Sequence, residues 1–267
     1  MSKAKEIKEE GKMKWPKWIM FIRHDVSTYN VLRDGKKKDK LYLEFLNEIK
    51  INPLSEKAKG LATIIGEKYC LSVGDHDTPL AENGKIARKV GKALKKKFEV
   101  PDIIFVSPYL RTLETLKNIT KSWPALKKVK IIEEERIRER EHGIVTVYND
   151  KDVLYTLYPE QKALYEKEGQ YWYRFPQGEN IPDVRLRNRS WIGSVIRDFS
   201  NKKVMVITHG LTIISTRANL ERFGAKGFIK IERNDKPINC GVTLYKGNEN
   251  KGKEGHLELE FYNKKLY

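Results

Sequence analysis

Two short apolar runs, Trp18 to Ile22 and Val204 to Thr208, stand out from a chain that is polar every few residues. Each is too short for a helix and unbroken by charge, the pattern of a strand buried on both faces. Asp102 to Val106 and Val129 to Ile132 read the same way. Apolar residues at Leu41, Phe45, Leu46 and Ile49 predict a helix over 41–49, and the charged stretch Asp34 to Lys40 before it reads as a loop. Asn52-Pro53-Leu54-Ser55 is a stop followed by an N-cap, so a helix is expected over 55–69. Pro79 to Gly84 starts another, whose apolar face is Ile86, Val90 and Leu94 and which runs to about Phe98. Helices are also expected over 110–120, 182–198 and 211–223. The stretch 133–180 has weaker periodicity and many aromatics, and reads as a helical excursion over the sheet edge. Gly241 to Tyr245 and Leu257 to Tyr262 alternate about a polar turn, Lys246 to Gly255, as an antiparallel edge hairpin does.

Strands alternating with helices predict an α/β fold: a three-layer α/β/α sandwich with a mostly parallel central sheet, an antiparallel edge and an inserted helical cap. No repeat or Pro- or Ser-rich linker divides the chain. One domain over 15–267 is expected, with the cap at about 133–182. Residues 1–14 alternate Lys and Glu without the apolar stretch of a signal peptide, and read as a polar lead-in.

The 267 residues carry 53 Lys and Arg against 36 Asp and Glu, a net charge of +17, with 39% hydrophobic residues to build a core. Such a charge favours anionic partners in general. The densest basic run, Lys85 to Lys97, lies opposite the apolar face of its helix and reads first as a solvated face; nucleic acid enters as a partner only through this charge. Cys70 and Cys240 lack metal or redox spacing and fit buried thiols in a reduced, cytoplasmic protein. No apolar run approaches the roughly 20 residues of a membrane span. A monomer or homodimer is expected.

The chemistry concentrates where strands end. Phe21-Ile22-Arg23-His24 closes the first apolar run and Ile207-Thr208-His209-Gly210 closes the last, although the chain has only five histidines. Ser107 and Arg111 follow the Asp102 strand; Glu139 and Arg140 follow the Val129 strand. Ligands of open α/β sheets bind at the carboxyl edge of the strands. There, arginines offer bidentate hydrogen bonds to a phosphate dianion and a neutral imidazole can attack phosphorus. A second histidine can stabilise the equatorial oxygens, and a carboxylic acid can protonate the leaving oxygen and then activate water. With these cations in place, no metal or cofactor is called for.

These motifs resemble, in order, those of the phosphoglycerate mutase-like branch of the histidine phosphatase superfamily. Arg23-His24-Asp25-Val26-Ser27-Thr28-Tyr29-Asn30 resembles its opening Arg-His-Gly-x-Ser-x-x-Asn. Pro79 to Gly84, Ser107 to Thr115, Ile137 to Gly143, Phe175 to Asn180 and Val206 to Gly210 resemble its later motifs. The resemblance implies that His24 is the phosphorylated nucleophile, that Arg23, Arg111 and His209 hold the phosphate with Asn30 and the Gly210 backbone, and that Glu139, rather than its neighbour Glu141, is the proton donor. Asp25, Ser27, Tyr29 and Arg140 are candidates for substrate specificity. His76 and His142 have no such support and read as loop or surface residues. Asp25 departs from the family glycine, and an extra anion beside a phosphate would weaken its binding.

The resemblance also frames the reaction. The mutases carry a pair of adjacent arginines in the cap, and 133–180 has no convincing equivalent. It offers Tyr171-Trp172-Tyr173-Arg174-Phe175 instead, close to the broad-range phosphatase relatives. The expectation is a metal-independent phosphatase acting on small phosphate monoesters through a phosphohistidine on His24. The alternatives are a cofactor-dependent mutase-type phosphotransferase and a non-catalytic polyanion-binding relative, the last motivated by Asp25 and the net charge.

Overall fold

The computed structural model describes residues 14–251 and 254–267, so the expected lead-in over 1–14, apart from Lys14, lies outside them. In chain order the elements are β1 (Trp18–Arg23), α1 (Thr28–Lys36), α2 (Lys40–Ile51), α3 (Glu56–Tyr69), α4 (Lys85–Lys97), β2 (Ile103–Val106), α5 (Leu110–Ser122) and β3 (Lys130–Glu133). Then come α6 (Val145–Tyr148), α7 (Lys151–Leu157), α8 (Pro159–Trp172), α9 (Ile181–Asp198), β4 (Lys203–Thr208), α10 (Gly210–Leu220), α11 (Ala225–Asn234), β5 (Val242–Asn248) and β6 (His256–Lys264).

The six strands form one sheet in the order β3-β2-β4-β1-β5-β6. β3, β2, β4 and β1 are parallel, while β5 and β6 add the antiparallel edge. The parallel strands β1, β2 and β4 are apolar along their centres because both faces are covered; β3, expected to be buried likewise, is at the sheet edge with Lys130, Ile131 and Glu133 exposed. Met20, Ile22, Ile104, Val106, Met205 and Ile207 pack on one side with Val90 and Leu94 of α4 and Leu116 and Ile119 of α5. The alternate residues Ile19, Phe21, Ile103, Phe105, Val204 and Val206 pack on the other with Trp191 and Val195 of α9 and Ile213 of α10. This is the α/β sandwich expected, and among the described residues no helix is long and apolar enough to cross a membrane.

Register then places the chemistry. Arg23 pairs with Thr208 and Val106 with Ile207, so His24, His209 and Ser107 emerge together at the carboxyl edge.

Three local readings need correction. Asp34 to Lys36 are not loop but the end of α1. That helix lacks an apolar repeat and is started by a reciprocal cap, in which Ser27 and Asn30 each bond the other's backbone N–H. The charged turn is confined to Lys37–Asp39, and Asp39 caps α2. The helix expected over 211–223 stops at Leu220, and α11, which buries only Phe228 fully, follows it. Cys240 is buried as expected, but Cys70, at the exposed end of α3, is not.

The helical layer over the strand ends draws on two parts of the chain. Tyr42 and Phe45 of α2 and Leu61 and Ile65 of α3 pack around Val153 of α7, with Tyr148 of α6 beside them. A buried ion pair joins the two parts. Lys36, at the end of α1, reaches Asp150 Oδ2 at 2.5 Å, and both side chains are 5% exposed. Tyr42 donates to the same oxygen at 2.8 Å, and the other carboxylate oxygen caps α7 through the Asp152 and Val153 N–H groups. Asp150→Ala strands the Lys36 ammonium in this setting. It is expected to lower the unfolding free energy by about 3–5 kcal/mol in a denaturant titration at neutral pH; a loss below about 1 kcal/mol would mean that the pair is solvated and replaceable.

Candidate active site

A cavity of about 490 Å³ opens at this edge, and its wall includes Arg23, His24, Tyr29, Asn30, Arg111, Glu139 and Arg140. β1, α1, α5 and the loops after β1 and β3 thus deliver seven of the residues singled out by sequence to one space. His209 and Gly210 stand behind that wall. The His209 ring lies 5.2 Å from the His24 ring, centroid to centroid, and its Nε2 is 2.8 Å from Ser107 Oγ. Gly210, the first residue of α10, backs the Arg23 side chain.

His24 is buried, and its Nδ1 lies 2.6 Å from the Asp25 carbonyl oxygen. A carbonyl only accepts, so Nδ1 carries the proton and Nε2 keeps a bare lone pair. The His24 pKa is driven well below the ordinary imidazole value, first by burial and then by Arg111 and Arg23. Burial, Arg111 and His24 do the same to His209. Both rings are therefore neutral at physiological pH. Arg23 donates to the Pro237 carbonyl at 2.6 Å, while its buried Nε has no partner.

Arg111 is engaged by Asp75, from the short 3-10 turn Asp75–Asp77. Its guanidinium donates to the Asp75 carbonyl at 2.6 Å and to the two carboxylate oxygens at 3.1 and 3.3 Å. A carboxylate thus sits in the bidentate geometry that a phosphate would use.

Glu139 is on a loop clamped from below. Arg187 donates to the carbonyls of Arg136, Arg138 and Glu139 at 2.8–2.9 Å, Thr208 to that of Ile137 and Thr212 to that of Arg138. Gly143 (φ +53°) lets this loop pass the 176–178 segment; a Cβ there would sit 2.0 Å from the Pro176 carbonyl. Glu141 accepts from Tyr109 and Arg138 and is not on the cavity wall.

Asp25 and Ser27 do not face the cavity. The Asp25 carboxylate accepts from the N–H of Val26 and, at 2.8 Å, from that of Ala87 in the first turn of α4. α4 has no cap of its own, since Gly84 precedes it in a left-handed conformation, and Asp25 supplies one from across the fold. The residue does not adopt positive φ, so its side chain neither crowds the loop nor opposes an anion in the pocket. Ser27 is spent on capping α1. Tyr29 lines the cavity, with its hydroxyl pKa raised by burial. Arg140 lines it too, but donates to the carbonyls of Glu179 and Tyr173.

Sequence reasoning missed several wall residues. His142 is on the cavity wall rather than on the surface, and burial, helped by Arg140, lowers its pKa to about 4. Arg33, Asp75 and Lys236 also line the cavity, and burial lowers the Lys236 ammonium. No periodicity or motif marks Asp75 or Lys236; His142 lies within the Ile137 to Gly143 motif, and Arg33 three residues beyond the Asn30 motif.

A sequence profile of the histidine phosphatase superfamily (branch 1) matches residues 67–257. The chain belongs to the histidine phosphatase superfamily. The match begins beyond His24, so the place of the first motif rests on the geometry above. A phosphoglycerate mutase-like protein of Arabidopsis thaliana, AT74H, is 31% identical over 159 residues, covering 52% of this chain and 54% of that protein. The chain thus spans about half the length of this relative. The 2,3-bisphosphoglycerate-dependent phosphoglycerate mutase of Rhizobium etli is 28% identical over 167 residues, covering 60% and 76%. Among solved structures, a mycobacterial glucosyl-3-phosphoglycerate phosphatase in complex with VO3 superposes with a TM-score of 0.60 at 17% identity, over 92% of this chain and 99% of that one. YhfR of Bacillus stearothermophilus gives 0.62 at 19%, over 91% and 96%. At these identities the structural likeness concerns the fold.

Two outcomes follow from the site. Asp25→Gly, which restores the family residue, is expected to cost about 1–2 kcal/mol of stability through the lost α4 cap, with phosphate affinity unchanged; tighter phosphate binding with full stability would mean that Asp25 acts on the pocket. Asp75→Asn frees Arg111 and is expected to strengthen inhibition by inorganic phosphate a few-fold, on the order of 1 kcal/mol or less for a half-buried pair. An unchanged or weaker inhibition constant would show that Asp75 does not compete with phosphate.

Proposed function

We propose that the protein hydrolyses phosphate monoesters through a phosphohistidine on His24. The observation that carries this reading is the Nδ1-protonated, neutral His24 at the base of a cavity walled by Arg23, Arg111 and Glu139. The bare Nε2 attacks phosphorus and the ester P–O bond breaks. The departing oxygen takes the proton of the Glu139 carboxyl. The ring, now cationic, keeps its Nδ1–H on the Asp25 carbonyl, which stabilises the added charge. Glu139, now a carboxylate, takes a proton from water as the water attacks phosphorus. The P–N bond breaks, and neutral His24 and inorganic phosphate are left. Arg23 and Arg111 offset the phosphoryl charge throughout.

Hydrolysis is favoured over mutase action by how the cap spends its arginines. Arg140 is held by backbone carbonyls, Arg174 pairs with Asp183 away from the cavity, and Arg138 pairs with Glu141 and Glu179. No adjacent arginine pair among the described residues faces the substrate space. The likeness to the Rhizobium etli mutase favours the second reading, in which the phosphoryl group returns to the substrate instead of to water. The reading that the fold only binds polyanions keeps the net charge but loses its other motive, because Asp25 is turned away from the pocket.

The test is hydrolysis of p-nitrophenyl phosphate between pH 4 and 8 without added metal. The wild type is expected to turn over, and His24→Ala to lose at least about 1,000-fold, in the range seen when a covalent nucleophile is removed. Because the His24 pKa is depressed, its reactive neutral form persists as pH falls, and the acid limb of kcat/KM is expected below pH 6.5. Full activity in His24→Ala would refute the phosphohistidine route. Conversion of 3-phosphoglycerate to its isomer without release of phosphate would favour the mutase.

A further inference from the structure

We propose that Asn239 is a positioning residue that sets, at once, the tautomer of His24 and the direction of the Asn30 amide. It lies between α11 and β5, far in sequence from both His24 and Asn30. Its side-chain amide donates to the His24 carbonyl at 3.0 Å, the Asp25 carbonyl at 3.2 Å and Asn30 Oδ1 at 3.2 Å.

Two of these acceptors govern reactive groups. The Asp25 carbonyl is the oxygen that receives the His24 Nδ1 proton. A bond between a ring and the next residue's carbonyl survives only while that peptide plane stays turned toward the ring. Asn239 holds that plane from the oxygen side and the Val26 N–H, donating to Asp25 Oδ1 at 2.7 Å, holds its other end, while Thr115 accepts from the Asp25 N–H at 2.9 Å and fixes the preceding peptide. When the plane turns away, Nδ1 loses its acceptor, the proton is free to move to Nε2, and the lone pair then points away from phosphorus. Asn30 Oδ1, meanwhile, accepts from Ser27 N, Ser27 Oγ and Asn239. Three donors fix which end of that amide is oxygen, so the NH2 end is left for the cavity that Asn30 lines. One side chain outside the wall thereby orients both the nucleophile and a phosphate donor. The backbone around it is braced as well, since the Cys240 N–H donates to the Arg23 and His24 carbonyls.

The tautomer is set whether or not the protein turns over, but the catalytic consequence rests on the proposed function. The experiment therefore has two readouts on the full chain, wild type and Asn239→Ala. The first is the 15N spectrum of histidine-labelled protein, with His24 identified by its loss in His24→Ala. Wild type is expected to show a protonated Nδ1 and a bare Nε2, and Asn239→Ala to show Nε2 protonation. The second is p-nitrophenyl phosphate hydrolysis, in which kcat is expected to fall about 10- to 100-fold, the usual cost of losing a partner that orients a reacting ligand, together with weaker inhibition by phosphate as Asn30 turns. Asn239→Ser, which keeps a shorter donor, is expected to fall between the two and serves if the alanine variant does not fold. For either folded variant, a wild-type His24 spectrum with wild-type phosphate inhibition overturns the proposal. A wild type that hydrolyses no ester overturns the proposed function instead, and leaves the spectral comparison to decide on Asn239.

Discussion

The site is built on a charge constraint. His24 and His209 are buried against two guanidiniums, and neither ring can take up a proton there without facing both desolvation and like-charge repulsion. Everything around them answers to that. The proton on Nδ1 needs a carbonyl, and the Asp25 peptide is turned to provide it. The guanidiniums need an anion, and Asp75 lies on Arg111 while Glu139 is within electrostatic reach of Arg23. Neutral rings beside two guanidiniums, one of them held by Asp75, leave a site where an incoming anion can take over the place of the carboxylate on Arg111.

How far this could be read from the sequence follows from the range of the interactions. The strands were legible because burial on both faces leaves an uninterrupted apolar run, as in Val204 to Thr208. The wall residues Arg23, His24, Arg111 and Glu139 were legible because each lies at the carboxyl end of a strand or within a few residues of it, where topology alone gathers side chains. What failed was what needs a partner far away in the chain. α1 has no apolar repeat to betray it; its buried positions are Asn30 and Lys36, held by polar partners. Asp25 looked like an intruder in the phosphate loop because nothing in its neighbourhood reveals Ala87, more than sixty residues on, as its acceptor's counterpart. His142, Lys236 and Asn239 sit on connecting segments whose path only the packed fold defines.

The family profile matches residues 67–257, which leaves out α1 and α2 and all but the end of α3 while taking in α6 and α7. The helical layer carries the walls away from Arg23 and Arg111, so on the proposed function selection among phosphoesters falls to the part of the chain with the least regular pattern.

The Lys36–Asp150 pair gives α1 a fixed length. The helix is nine residues, about 13 Å at 1.5 Å per residue. It starts at the cap formed by Ser27 and Asn30 beside His24 and ends in an ammonium locked into the opposite rim. Adding or removing one residue inside it would rotate Lys36 by about 100° and swing the charge off Asp150. Insertions are excluded before Lys36 and free to accumulate after it, so length variation among descendants of this chain should fall in the turn at 37–39 and beyond. The floor of the pocket and its far rim are thus tied by a rod of set measure, and the pocket's width is inherited with it.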